Sequence, residues 1–209
     1  MTGSPPRRGT AWTRRRYDRI APSYDRLERW LERRVYALWR ERLWQAARGP
    51  RILEVGVGTG KNFPYHPRVT PVVAIDLSWR MLALAQRRAQ HLDRPPLLVQ
   101  MDLQRLAFAD RAFDTVVGTF VIGSLPDPVA GLRELRRVTK PDGVLFLLEY
   151  VRPEDPLGIL ADLLNPVARW IYGAHVNRRT VEQLWQAGLT AAQIERHWCG
   201  MVVAIKAQP

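Results

Sequence analysis

Three glycines fall on alternate positions behind a short apolar run in ILEVGVGTG, residues 52–60. A strand that ends in such a loop, apolar on both faces, belongs inside a sheet covered on both sides. The rest of the chain supplies that sheet. RILEVG, TPVVAIDLS, PLLVQMD, FDTVVGTFV and VLFLLEYV read as five strands, and polar, helix-patterned segments separate them. Ser78 is placed to cap a helix running to about His91. Asp127 is placed to cap a second helix, through GLRELRRV, with Leu132, Leu135 and Val138 on one face. Pro141-Asp142-Gly143 reads as a turn. Strands alternating with helices predict an α/β fold, a Rossmann-like doubly wound sheet that is mainly parallel. AAQIERHW and CGMVVAIKA then read as a closing hairpin, which adds an antiparallel C-terminal edge strand.

The flanking segments differ in kind. Residues 1–12 hold Gly3, Pro5, Pro6 and Gly9 without periodicity and read as a disordered basic tail. Residues 13–48 read as a helical cap, because Leu27, Trp30, Leu31, Val35, Leu38, Trp39 and Leu43 recur at three- and four-residue steps. Gly49-Pro50 ends it. Residues 49–209 form the ligand-binding domain, with a helical insertion at about 153–187. Within the insertion, 156–172 reads as a helix interrupted at Pro166, and TVEQLWQAG as a short one ended by Gly188. There is no internal repeat and no second domain.

Charge is uneven. Residues 1–48 carry 13 Arg against 5 acids, a net of +8 out of the whole chain's +12. Such an arm suits an anionic lipid surface, nucleic acid or an acidic substrate. No apolar run approaches the roughly 18 residues that span a bilayer. The basic N-terminus lacks the apolar stretch of a secretory signal. The single Cys199 excludes an internal disulfide. A cytoplasmic location is expected, with a peripheral position at the inner membrane surface as the extension of that reading. Oligomeric state leaves no signature in the sequence.

The glycine loop is the first clue to a ligand. A P-loop needs G-x-x-x-x-G-K-[ST], but Gly60-Lys61 is followed by Asn62, and Val55 stands five positions before Gly60. A dinucleotide loop needs G-x-G-x-x-G, and the third position here is Lys61. Glu54 precedes the loop; a carboxylate repels a pyrophosphate and favours a cation. The loop therefore suits a nucleoside without phosphate that carries positive charge, and S-adenosyl-L-methionine is such a ligand. Asp76, 20 residues after Gly56, is placed to accept from both ribose hydroxyls. Asp102 is placed to accept from the adenine amine, and the Leu103 N–H to donate to a ring nitrogen. Leu77 and Met101 are placed to sandwich the base. Gly56, Gly58 and Gly60 let the backbone approach the amino-acid end, and Thr119, ending the fourth strand, joins the set.

These residues resemble the motifs of the class I S-adenosylmethionine-dependent methyltransferases over about residues 50–150. ILEVGVGTG looks like their first motif, VVAIDLS their second, and MDLQRLAFADRAFDTVV their adenine-binding segment. The resemblance implies S-adenosyl-L-methionine as cofactor and S-adenosyl-L-homocysteine as product. YDRIAPSYDRLE, residues 17–28, is similar to the opening of the ubiquinone/menaquinone C-methyltransferase group and of bacterial phosphatidylethanolamine N-methyltransferases. There the segment covers the cofactor and helps form the acceptor site, which implies such roles for Tyr17 and Tyr24. Residues 149–189 look like the tail of membrane-associated thiol methyltransferases and phospholipid methyltransferase relatives, and depart from the quinone enzymes.

Methyl transfer from a sulfonium is an in-line displacement, so position and desolvation matter most. Tyr17, Tyr24, His66, Tyr172 and His175 are the polar candidates near the mouth, with Tyr24, Tyr17 and His175 preferred. Four dispersed His and one Cys make no metal site. The segment after the fourth strand, TFVIGSL, is apolar and suits an apolar acceptor. The expected acceptor is small or lipid, a phospholipid amine first, with a quinone ring carbon or a thiol as alternatives. A nucleic-acid acceptor is disfavoured, since no recognition module accompanies the charge. A module that binds the cofactor without turnover is the reading of another class. The Trp- and Arg-rich stretch 26–48 fits a helix packed on the core better than one lying on lipid.

Overall fold

A computed structural model describes residues 8–31, 35–154, 157–159, 161–163, 165 and 177–209. Its strands are β1 (Ile52–Val55), β2 (Val72–Asp76), β3 (Leu97–Gln100), β4 (Phe113–Thr119), β5 (Thr139–Tyr150), β6 (Thr190–His197) and β7 (Val202–Gln208). They form one sheet in the order β3-β2-β1-β4-β5-β7-β6. The first five pair in parallel. β7 enters antiparallel between β5 and β6, so the closing hairpin leaves β6 at the edge. The order turns back beside β1, where a ligand crevice opens beyond the strand ends.

The apolar runs divide residue by residue between two cores. Leu53, Val55, Val116, Leu145 and Leu147 face α4 (Pro128–Val138), and Leu132, Leu135 and Val138 of that helix meet them. Ile52, Val117, Phe146 and Leu148 face the other way, onto Leu43 and Trp44 of α2 (Ala37–Gln45). α3 (Trp79–Ala89) lays Ala85 and Ala89 over Ala74 of β2. α5 (Thr180–Gln186) adds Leu184 to the first core. Both expected caps form: Ser78 Oγ accepts the Met81 N–H at 3.2 Å, and Asp127 Oδ1 the Ala130 N–H at 3.0 Å.

Three local expectations change. Helix α1 (Arg8–Leu31) includes residues 8–12, which composition alone reads as disordered. Its start docks onto the body: Gly9 lies against Pro126, Thr10 Oγ1 accepts from Gln104 Nε2 at 3.1 Å, and Thr13 is buried. Packing of this kind stabilises a helix that local propensity does not. Residues 1–7 lie outside the described residues. The Leu27–Leu43 pattern belongs to two helices, α1 and α2, with residues 32–34 outside the description. Pro141-Asp142-Gly143 falls within the span of β5 as an irregularity; the register steps from Phe113↔Thr139 to Thr115↔Val144. Of the insertion, residues 157–159, 161–163 and 165 are helical, and Pro166, Tyr172 and His175 lie outside the described residues.

Candidate active site

The C-terminal ends of β1, β2 and β4 open into a cleft of about 700 Å³, a volume that includes its mouth. Gly56, Gly58, Asp76, Leu77, Met101, Asp102, Leu103 and Thr119 line it, eight of the ten residues expected to hold the cofactor. Asp76 stands at the junction. Its Oδ2 accepts the Gly58 N–H and its Oδ1 the Ser78 N–H, each at 2.8 Å. Burial pushes its carboxyl up to about 6, against the pull of those N–H groups, and nearby Glu54 raises it further. Gly58 has φ +56, and a Cβ there would meet open space, with only the Gly56 carbonyl at 4.0 Å. The bare backbone thus leaves room that a ligand can fill. Asp102 is oriented by Gln104, whose N–H donates to Oδ1 at 2.9 Å and whose Nε2 donates at 3.1 Å.

Two expected residues do not line the cleft. Glu54 is fully buried, and both its oxygens are occupied: Asn62 Nδ2 donates to Oε1 at 2.7 Å and His66 Nε2 lies 2.8 Å from Oε2. Alternation along β1 turns Glu54 toward the α2 side with Ile52, into a buried polar network, so it sits under the loop instead of beside the ligand. His66 serves that network too and packs 4.4 Å from Trp44 between ring centroids, which removes it from the mouth. Gly60 has φ +83, and a Cβ there would stand 2.4 Å from the Phe63 ring. It is a packing glycine. His175, the remaining preferred candidate, lies outside the described residues.

α1 roofs the cleft, and a repeat explains how. Tyr17-Asp18 and Tyr24-Asp25 are seven residues apart, two helical turns, so each pair points the same way. Both tyrosines line the cleft. Both aspartates clamp the helix to its neighbours. Ser78 Oγ donates to Asp18 at 2.6 Å, Thr59 Oγ1 to Asp25 at 2.7 Å and Arg88 Nη2 to Asp25 at 2.6 Å. Lys61 Nζ sits 4.9 Å from the Tyr24 ring centroid.

The facing wall comes from the chain after β4, and sequence reasoning missed its parts. Phe120 lines the cleft with φ +56, a backbone conformation that a bulky residue rarely adopts. Tyr36 and Tyr150 pack against it with centroids at 4.9 and 4.8 Å, and their hydroxyls touch each other. Buried Arg40 lies 5.3 Å from the Phe120 ring and donates from Nη1 to Asn62 Oδ1 at 2.9 Å and to Thr119 Oγ1 at 2.6 Å. Glu149, buried in β5, accepts N–H groups from the same wall. A lone acid in VLFLLEYV is the signal that could have found it; Phe120 has none, because backbone strain leaves no mark on composition. Among the described residues no group of three or more His, Cys, Asp or Glu is placed to hold a metal ion.

A seven-stranded sheet of this order, with a bare glycine loop, an acid ending β2 and another after β3, is the fold of the class I S-adenosylmethionine-dependent methyltransferases. Residues 53–147 match the family described as Methyltransferase domain. It is 38% identical over 121 residues to a phosphatidylethanolamine N-methyltransferase of Cereibacter sphaeroides, covering 56% of this chain and 60% of that protein. It is 35% identical over 146 residues to a demethylmenaquinone methyltransferase of Renibacterium salmoninarum, covering 66% and 58%. A thiol S-methyltransferase TMT1B of Rattus norvegicus is 32% identical over 152 residues, covering 69% and 62%. The matches thus span about 60% of the length of these relatives. Among solved structures, a SAM-dependent methyltransferase of Thermotoga maritima, described as a possible histamine N-methyltransferase, superposes with a TM-score of 0.71 at 20% identity, over 92% of this chain and 97% of that one.

Proposed function

We propose that this chain transfers a methyl group from S-adenosyl-L-methionine to a small acceptor with an apolar body, a phospholipid amine in the first place. The cofactor supplies an activated methyl on a sulfonium and leaves as S-adenosyl-L-homocysteine. The chain's residues do the rest. Asp76 accepts from ribose hydroxyls, Asp102 from the adenine amine, and Leu77, Met101 and Leu103 enclose the base. The Gly56–Gly58 backbone admits the amino-acid end. Tyr17, Tyr24 and Phe120 line the cleft with aromatic residues. Such rings exclude water and favour the cationic centres of both donor and methylated amine. The Tyr24 hydroxyl, beside Lys61, would accept a hydrogen bond from the attacking neutral amine and orient its lone pair toward the methyl.

The observation that carries the lipid reading is the two-faced character of α1. Its inner face gives the cleft Tyr17 and Tyr24. Its outer face exposes Trp12, Arg15, Arg19, Pro22 and Arg26, a stripe stepping by three and four residues without an acid, because Asp18 and Asp25 are turned into the clamps. An aromatic-flanked cationic stripe suits an anionic headgroup layer. Among the described side chains of the stretch 26–48, Trp44 is buried and Trp39 stacks on His197 with centroids at 4.7 Å. No helix among the described residues is long and apolar enough to cross a membrane. A peripheral position at the inner membrane surface is part of the proposal, and the similarity to a phosphatidylethanolamine N-methyltransferase supports it.

The test offers labelled cofactor with phosphatidylethanolamine in phosphatidylglycerol vesicles, with a demethylmenaquinol and with an alkyl thiol. Label in the ethanolamine headgroup is the expected result. Transfer only to the quinol or the thiol replaces the acceptor, in line with the menaquinone and thiol relatives. Tight cofactor uptake without transfer to any of them leaves a binding module and sinks the enzymatic reading.

A further inference from the structure

The apolar end of β5 contains one acid. Glu149 is 1% exposed. Its Oε1 accepts the N–H groups of Val121 at 2.8 Å and Ile122 at 2.9 Å, and its Oε2 accepts that of Gly123 at 3.4 Å. Three consecutive backbone donors converge on one carboxylate. They open the single 3-10 turn Ile122–Ser124, and a turn buried this way leaves such donors without partners unless a side chain reaches them. One residue earlier, the N–H of strained Phe120 donates to the Leu148 carbonyl at 2.7 Å. β5 therefore grips the chain on both sides of the residue held in the left-handed region.

What β5 grips is a wall of the cleft. Phe120 and Val121 both line it. A Val121 methyl carbon stands 2.4 Å from where a Gly56 Cβ would lie, so the wall also abuts the glycine loop. We infer that Glu149 is a positioning residue, which fixes the turn after β4 and so sets how far Phe120 and the acceptor beside it stand from the cofactor loop. Its consequence for rate rests on the methyltransferase reading above. Burial pushes this carboxyl up to about 7, and the three N–H groups pull it down, so the turn itself is what solvates the charge. In-line displacement tolerates little misplacement; an error of about 1 Å costs on the order of 100-fold. Loss of Glu149 thus acts on turnover before cofactor binding.

Glu149→Gln keeps the shape and removes the charge. The expected result is a kcat lower by about 10- to 100-fold. Cofactor dissociation constants from calorimetry stay within about threefold, since Asp76 and Asp102 are untouched. Amide hydrogen exchange at Val121, Ile122 and Gly123 quickens by about tenfold or more, while β1 to β3 keep their protection. An unchanged kcat overturns the inference. So does a cofactor affinity that falls in step with kcat, or faster exchange throughout the sheet, because each makes Glu149 a general support of the fold. Should the Gln variant not fold, Glu149→Asp, which keeps the charge on a shorter arm, carries the same three readouts with smaller changes in the same direction. The exchange and calorimetry arms need no methyl transfer. A wild-type chain that methylates nothing therefore sinks the functional reading while these two still decide the placement.

Discussion

The two sides of the cleft are built by different means. On the side proposed for the cofactor, one short segment after each strand delivers one group: Gly56 and Gly58 after β1, Asp76 and Leu77 at the end of β2, Met101 to Leu103 after β3. On the side proposed for the acceptor, no segment suffices. Tyr17 and Tyr24 come from α1, Phe120 from the turn after β4, and the groups behind Phe120 come from α2 and β5. The first side is set by strand ends and backbone; the second is held by clamps and buried polar contacts between distant parts of the chain. A change on the first side is expected to move cofactor affinity, and a change on the second to move acceptor recognition and rate.

The largest effect is expected at Asp76. Asp76→Ala removes the acceptor proposed for the ribose hydroxyls and also frees the Gly58 and Ser78 N–H groups. Hydrogen bonds to a charged group contribute about 1.5–3 kcal/mol each, so cofactor affinity measured by calorimetry drops by about 100-fold or more. A variant that binds cofactor normally and loses only acceptor affinity would break the comparison at its root.

Gly58 and Gly60 sharpen it next. Both have positive φ, at +56 and +83, so alanine is strained at each by roughly 1–2 kcal/mol. They part in what the new methyl meets. At Gly58 it enters the cleft, and cofactor affinity falls by about tenfold, the equivalent of about 1.4 kcal/mol. At Gly60 it strikes the Phe63 ring, and the melting temperature falls with little direct change in cofactor affinity. Equal losses of affinity at both positions would place Gly60 in the site after all.

That contrast marks how much was legible. Glycines spaced as in ILEVGVGTG announce a loop, and Asp76 and Asp102 announce themselves by standing at strand ends, which can be read from local position; both line the cleft. Glu54 misled for the same reason. It stands beside the loop in sequence, but strand alternation turns it under the loop toward Asn62 and His66. The mainly parallel sheet and both helix caps followed from apolar runs and from Ser78 and Asp127. Residues 8–12 are helical through contacts with Gln104 and Pro126, about a hundred residues away, which no local pattern reports. Phe120 is strained by tertiary contacts, and Arg40 reaches Thr119 only once α2 lies on the sheet.

The clamps on α1 test the other side. Asp18→Asn with Asp25→Asn keeps the shape of both side chains and removes their charge. The Arg88–Asp25 pair is partly exposed, and such pairs contribute about 0–1 kcal/mol, so the fold stays intact. The roof loosens instead. The acceptor KM is expected to rise by roughly threefold to fivefold, in keeping with about 1 kcal/mol, while cofactor affinity changes less. A larger loss of cofactor affinity than of acceptor affinity would make α1 part of the cofactor side.

The smallest effect is one of pH, and it separates Asp76, half-buried, from Glu149, fully buried. Each has its folded value raised by burial, Asp76 to about 6 and Glu149 to about 7. A carboxyl raised on folding holds its proton more tightly in the folded chain than in the unfolded one. The stability this gives is complete below the ordinary carboxylate range near 4 and is lost as pH rises through 6 and 7. The cofactor-free chain is therefore expected to melt at a lower temperature at pH 7.5 than at pH 5, with a difference of order 1–3 kcal/mol per group at most. Cofactor binding has the opposite slope, because hydroxyl donors and a nearby cation favour ionised Asp76. With a value near 6, affinity falls by about twofold from pH 7 to pH 6 and more steeply below. Asp76→Asn abolishes that dependence, whereas Glu149→Gln leaves it and flattens only the melting curve between pH 5 and 7.5. If Glu149→Gln were the variant that levelled the binding profile, the acid on the acceptor side would be governing the cofactor, and the division between the two sides of the cleft would not stand.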